Sequence, residues 1–164
     1  MRTNITSVCV MMLLIASSVV LAQDTTEKQE SNEASTTIKI RVAYVFVDDQ
    51  EVALKFYTEV LGFVKKDDIL LGEFRWLTVV SQDNPDGAEL LLEPNQHPAA
   101  KTFQEAIFKQ GMPATTLFVE DIQKTYEKLQ KLGVKFTMQP TEMGTTIAAI
   151  FDDTCGNLIM IAQE

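Results

Sequence analysis

The chain has 164 residues, 46% of them hydrophobic, and carries a formal net charge of −9. That acidic balance disfavours nucleic acid and anionic membrane surfaces as partners and favours solubility. The length remaining after an N-terminal leader suits one domain with an adequate core.

Residues 1–22 read as a secretory signal peptide. Arg2 supplies a basic start, Val8 to Leu21 is apolar, and Val20-Leu21-Ala22 puts small residues where a signal peptidase reads. The run is shorter than the ~20 residues a spanning helix needs, so no stable membrane association is expected after cleavage. A secreted or periplasmic location is the expectation. Cys9 leaves with the signal and Cys155 stays alone, so no internal disulfide is expected even in an oxidising compartment. Residues 23–37 (QDTTEKQESNEASTT) have no aromatic and almost no aliphatic side chain. They cannot bury enough surface to offset their ordering entropy and read as a disordered leader.

A single domain is predicted over residues 38–164. Ile38 to Val47 alternates as a strand, with Ala43, Val45 and Val47 suited to lie beneath helices and Val42, Tyr44 and Phe46 on the other face. Asp49 is a plausible N-cap. The helix after it puts Val52, Ala53, Phe56, Tyr57, Val60 and Leu61 on one stripe and ends at Gly62. Strands follow at Phe63 to Lys66, Phe74 to Ser81 and Ala88 to Glu93, the last two separated by the turn signal Asn84-Pro85-Asp86-Gly87. His97 to Gln110 reads as a connecting helix ended by Gly111 and Pro113. The plan then repeats: strand Ala114 to Val119, helix Ile122 to Leu132, and strands Val134 to Met138, Thr145 to Phe151 and Leu158 to Ala162. The second helical stripe is Ile122, Thr125, Tyr126, Leu129 and Leu132.

Two halves therefore say the same thing. Val47-Asp48-Asp49 opens a helix closing on Val60-Leu61-Gly62-Phe63, and Val119-Glu120-Asp121 opens another closing on Lys131-Leu132-Gly133-Val134. With Ala53-Leu54-Lys55-Phe56-Tyr57, and with Phe151-Asp152-Asp153-Thr154-Cys155-Gly156-Asn157-Leu158 near the end, the chain resembles the vicinal oxygen chelate superfamily of glyoxalases, bleomycin-resistance proteins and extradiol dioxygenases. The terminal segment is similar to that family's Asp-Pro-Asp-Gly-Asn turn, with Thr154 and Cys155 in place of Pro and Asp. The resemblance implies an α+β fold of two tandem βαβββ modules, about 38–96 and 112–164, joined by a linker helix at about 97–110 and forming a U-shaped cleft. It also implies a homodimer.

Metal-using members of the family hold a divalent cation with His on the first strand and Glu on the last strand of each module. Carried onto this sequence, those positions are Val42, Leu91, Ala114 and Met160. None offers the imidazole nitrogen or carboxylate oxygen that hard and borderline cations want. No metal and no other cofactor is expected. Glu89 and Glu93 share strand parity with Leu91 but sit roughly 13 Å apart at ~3.3 Å per residue, too far to share one ion. Glu93 with His97, the only histidine, is the residual metal candidate, set against an ordinary strand-end Glu and loop His.

With those positions apolar, the predicted ligand-binding residues are Tyr44, Phe46, Trp76, Glu89, Leu91, Phe118 and Met160. Such a surface suits a small organic molecule, because aromatic faces stack on planar or cationic groups. Glu89 is the one weak catalytic candidate, as an acid/base group. Cys155 lacks a nearby base and stands beside Asp152 and Asp153, whose charges would raise its thiol pKa. Three readings stay open: an exported binding protein, a lyase, isomerase or dioxygenase using Glu89 or an unusual metal site, and a dimeric interaction module whose cleft is filled by its partner.

Overall fold

The computed structural model describes residues 37–163. The predicted signal segment, and all of the predicted leader except Thr37, lie outside the described residues. The first module comprises β1 (Val42–Val47), α1 (Gln50–Lys55, continued by one π turn over Phe56–Val60), β2 (Val64–Leu71), β3 (Phe74–Val80) and β4 (Glu89–Pro94). The linker is α2 (Pro98–Lys109). The second module comprises β5 (Thr115–Val119), α3 (Ile122–Lys131), β6 (Phe136–Met143), β7 (Thr146–Asp152) and β8 (Leu158–Gln163).

Each module makes one four-stranded mixed sheet, in the order β1-β4-β3-β2 and β5-β8-β7-β6. In both, the first strand runs parallel to the last and the remaining neighbours are antiparallel. A parallel pair needs a long crossover, which here is the helix plus the hairpin between. The repeat in the sequence is thus a repeat of topology.

Local chemistry explains the element ends. Asp49 and Asp121 cap their helices by accepting backbone N–H groups from Glu51 and Val52, and from Lys124. Gly62 and Gly133, at φ +85° and +86°, take the left-handed conformation that closes each helix. From cap to glycine the first helix is one residue longer than the second. The π turn at Phe56–Val60 absorbs that extra residue.

Several predicted boundaries move. Residues 38–41 are outside β1, with Ile38 and Ile40 exposed. The strands expected to stop at Lys66 and Met138 run on to Leu71 and Met143 and turn through the pairs Gly72-Glu73 and Gly144-Thr145. Charged Asp67 and Asp68, and Pro140, belong to strands because β2 and β6 are sheet edges, where such residues are tolerated. Val52 and Leu132, placed on the buried stripes by periodicity, are 49% and 52% exposed. Val52 lies in the first turn of α1 and Leu132 is the C-cap of α3, so both sit at helix ends.

One core spans both modules. Val45, Val47, Leu77, Val79 and Leu92 of the first sheet join Ala149, Phe151, Ile159 and Ile161 of the second, with Ala53, Phe56 and Tyr57 of the first helix and Ile122 and Leu129 of α3 among them. Phe56 lies 6.3 Å from Phe151, ring to ring. The helix-bearing faces of the two sheets therefore share a core, and the opposite faces carry Tyr44 and Phe118 exposed at 60% and 63%.

Candidate functional site

The strand registers decide what shares the candidate face. Tyr44 pairs with Leu91, Phe46 with Glu93, and Val42 with Glu89. Thr78 opposes Leu91, which puts Trp76 on the same face as Tyr44 and settles its parity. In the second sheet Thr116 pairs with Met160 and Phe118 with Ala162. All seven predicted residues thus lie on the two sheet faces turned away from the shared core. They do not gather into one cleft within the chain. Tyr44 and Phe46, with ring centroids 5.2 Å apart, share a cavity of about 530 Å³ with Glu93, His97 and Phe103. Phe118 lines a different cavity, beside α3. Glu89 and Leu91 are nearly fully buried, and Trp76 and Met160 are half-buried.

The four family metal positions fit no hard cation. Val42 and Leu91 are aliphatic strand residues, Ala114 precedes β5 and donates its N–H to Leu158, and Met160 offers a thioether. Glu89 sits level with Val42, but its carboxylate lies 3.5 Å from Lys66 Nζ. Glu93 and His97 do share one cavity wall. His97, however, caps α2: its Nδ1 accepts from the Ala99 N–H at 3.1 Å. A neutral ring then carries its proton on Nε2, leaving no lone pair for an ion. Among the described residues, no group of three or more His, Cys, Asp and Glu side chains is placed to hold a metal.

A buried polar knot at the junction of the modules escaped sequence reasoning. Gln104 of α2 is almost fully buried. Its Nε2 donates to Phe46 O at 2.8 Å, Cys155 O at 3.1 Å and Asn157 Oδ1 at 3.1 Å, and its Oε1 accepts from Asn95 Nδ2 at 2.6 Å. Asn95 also donates to Asp48, and Asn157 Nδ2 donates to Phe46 O. A Cβ at Gly156 would stand 2.6 Å from Gln104 Nε2, so no side chain fits there.

Beneath the knot lies Asp153, with no exposed surface. It accepts from the Cys155 and Asn157 N–H groups, from Asn157 Nδ2 at 2.7 Å and from the Tyr57 hydroxyl at 3.1 Å. Burial raises its pKa despite those donors. Burial and the nearby Asp153 charge raise Tyr57 well above an ordinary phenol, and burial foremost pushes the Cys155 thiol up to about 12. The neighbouring aspartates act in the expected direction on Cys155, but desolvation is the larger cause. These groups hold the turn; none faces a cavity as a nucleophile.

The profile of the Glyoxalase/Bleomycin resistance protein/Dioxygenase superfamily matches residues 39–161. This chain belongs to that superfamily. Similar to it is the uncharacterized protein YurT of Bacillus subtilis (strain 168), 59% identical over 127 residues that cover 77% of this chain and all of the relative. Among solved structures it is similar to UcmS2 (33% identity, TM-score 0.68, covering 77% of this chain and 98% of that one). It is also similar to TnmS3, an antibiotic binding protein from Streptomyces sp. CB03234 (26% identity, TM-score 0.63, covering 79% and 98%). The superfamily's paired modules are the two sheets described above.

Proposed function

We propose that this superfamily member is an exported binding protein that holds a small, planar organic molecule against the aromatic faces of its sheets, without a metal or other cofactor and without transforming it. The observation that carries this reading is the set of residues on those faces. Val42, Leu91, Ala114 and Met160, the positions the family resemblance assigns to metal donors, carry none, and Tyr44, Phe46 and Trp76 share the sheet face of the first two while Phe118 shares that of Met160. Aromatic walls with few polar groups suit an apolar, stackable ligand. The antibiotic-binding relative supports the same class of activity. A second copy of the chain completes the cleft in this proposal, since large exposed aromatics on two separate sheets mark an interaction surface. Export by residues 1–22 is part of the proposal. No helix among the described residues is long and apolar enough to cross a membrane.

The test is a native mass spectrum of the protein secreted by a host, with Tyr44→Ala and Phe118→Ala beside it. A dimer carrying an extra small-molecule mass, lost in both variants, is the expected result. One metal ion per chain would overturn the metal-free reading, and a dimer or monomer without retained mass after challenge with planar aromatic compounds would overturn the binding reading.

A further inference from the structure

The two modules meet through a near-symmetric pair of contacts, and only one of them is filled. Tyr57 and Leu129 each stand eight residues after their capping aspartates, Asp49 and Asp121. Tyr57 reaches across to the connection between the last two strands of the other module, where its hydroxyl meets Asp153. The reciprocal connection, following Val80, presents Ser81, Gln82 and Asp83 toward α3. Leu129 has neither the reach nor the hydroxyl to fill that side. A cavity of about 600 Å³ remains there.

Its inner wall is core: Leu129, Phe151 and Ile161, all nearly or fully buried. Gly62 adds no side chain, and a Cβ built on it would meet nothing within 4 Å. Its polar edge carries Ser81 and Asp83 from one module and Lys128 from the other. The volume lies in the range of small-molecule sites, and an apolar wall with a few polar groups is their usual make-up.

We propose that this cavity is a second binding site, for a neutral hydroxylated aromatic molecule of the phenol class. Such a ligand supplies what Tyr57 supplies on the opposite side: a ring against the core and an O–H for a carboxylate, here Asp83. Asp83 and Lys128, both exposed, are the one acidic and one basic side chain of the lining, so the cavity wall carries no net charge to favour a cation or an anion. The site is on the helix-bearing side of the sheets and shares only Phe118 with the aromatic faces invoked above.

The test is isothermal titration calorimetry of the full chain with 2-naphthol, 2-naphthalenesulfonate and 2-naphthylmethylammonium. The expected result is saturable binding of one 2-naphthol per chain, with both ions weaker by ~10-fold or more. Leu129→Tyr, which restores the missing ring, abolishes binding at this cavity, and Gln123→Ala, exposed on α3 and outside the lining, leaves it unchanged. Should Leu129→Tyr fail to fold, Thr125→Phe at the half-buried cavity edge blocks the same space. Three results overturn the proposal: no saturable binding, equal affinity for the sulfonate, or binding lost in Tyr44→Ala and kept in the cavity-blocking variants.

Discussion

Replacing Gln104 by leucine should destabilise the domain by ~3–5 kcal/mol. The substitution roughly keeps volume, so the cost comes from unmade hydrogen bonds and not from a void. Phe46 O retains Asn157 Nδ2, and Asn95 Nδ2 retains Asp48. Cys155 O and Asn157 Oδ1 lose the Gln104 amide; because its two Nε2 hydrogens were shared among three acceptors, each loss costs about 1–2 kcal/mol, the lower part of the range for a buried unsatisfied group. Loss of the Asn95–Gln104 bond adds about 1 kcal/mol more. For a domain of this size the sum corresponds to a fall in Tm of roughly 10–20 °C. Far-UV circular dichroism on heating and a urea titration at 25 °C measure it, with the exposed Gln123→Ala as control, expected within ~0.5 kcal/mol of wild type. A loss below about 1 kcal/mol for Gln104→Leu would refute the idea that this amide holds the linker helix to both modules.

Tyr57→Phe removes the one donor that crosses to Asp153 from the first helix and should cost ~1–2 kcal/mol, whereas Tyr126→Phe, whose oxygen only accepts from surface Gln130, should cost under ~0.5; urea unfolding separates the two. Asp153 has a folded pKa raised by burial, so its contribution to stability is fully present below the unfolded value of 3.8 and is lost as pH rises through the folded one. Wild type should therefore gain stability relative to Asp153→Asn as the pH is lowered from 7 toward 4, and a relative loss would show that the hydrogen bonds outweigh desolvation. The Cys155 thiol, buried and pushed up to about 12, should resist a disulfide-exchange reagent at pH 8 in the folded chain and react fully in denaturant. Rapid labelling of the native protein would contradict its placement.

The duplicated plan was legible because it rests on local signals: capping aspartates, closing glycines and apolar alternation at matching offsets. Face assignment in β1 followed from parity alone, and Val45 and Val47 are buried as that parity requires, whereas Ala43, expected with them, is exposed at the start of the strand. Hairpin lengths were less legible, since Asp67, Asp68 and Pro140 look like breaks until their strands are known to be edges. Gln104 and Asn95 gave no signal at all. A glutamine in an amphipathic helix reads as solvated, and only the meeting of three separate segments around its amide makes it an anchor. The sequence placed Tyr44 and Phe118 on the sheets of different modules but did not show that they would line different cavities, because the relative placement of two modules is set by core packing between them.

The parallel pairing of β1 with β4, and of β5 with β8, also dictates an order of events. Each opening strand can be hydrogen-bonded only once the closing strand of its module has been made. At ribosomal speeds of ~5–20 residues per second, β1 waits roughly 2–9 s before Glu89–Pro94 exists to receive it. The hairpins from Val64 to Val80 and from Phe136 to Asp152, by contrast, close from sequence neighbours. The module thus assembles from its middle outward, and during that interval Val42–Val47 is an unpaired apolar segment that a holdase would encounter before the rest of the fold claims it.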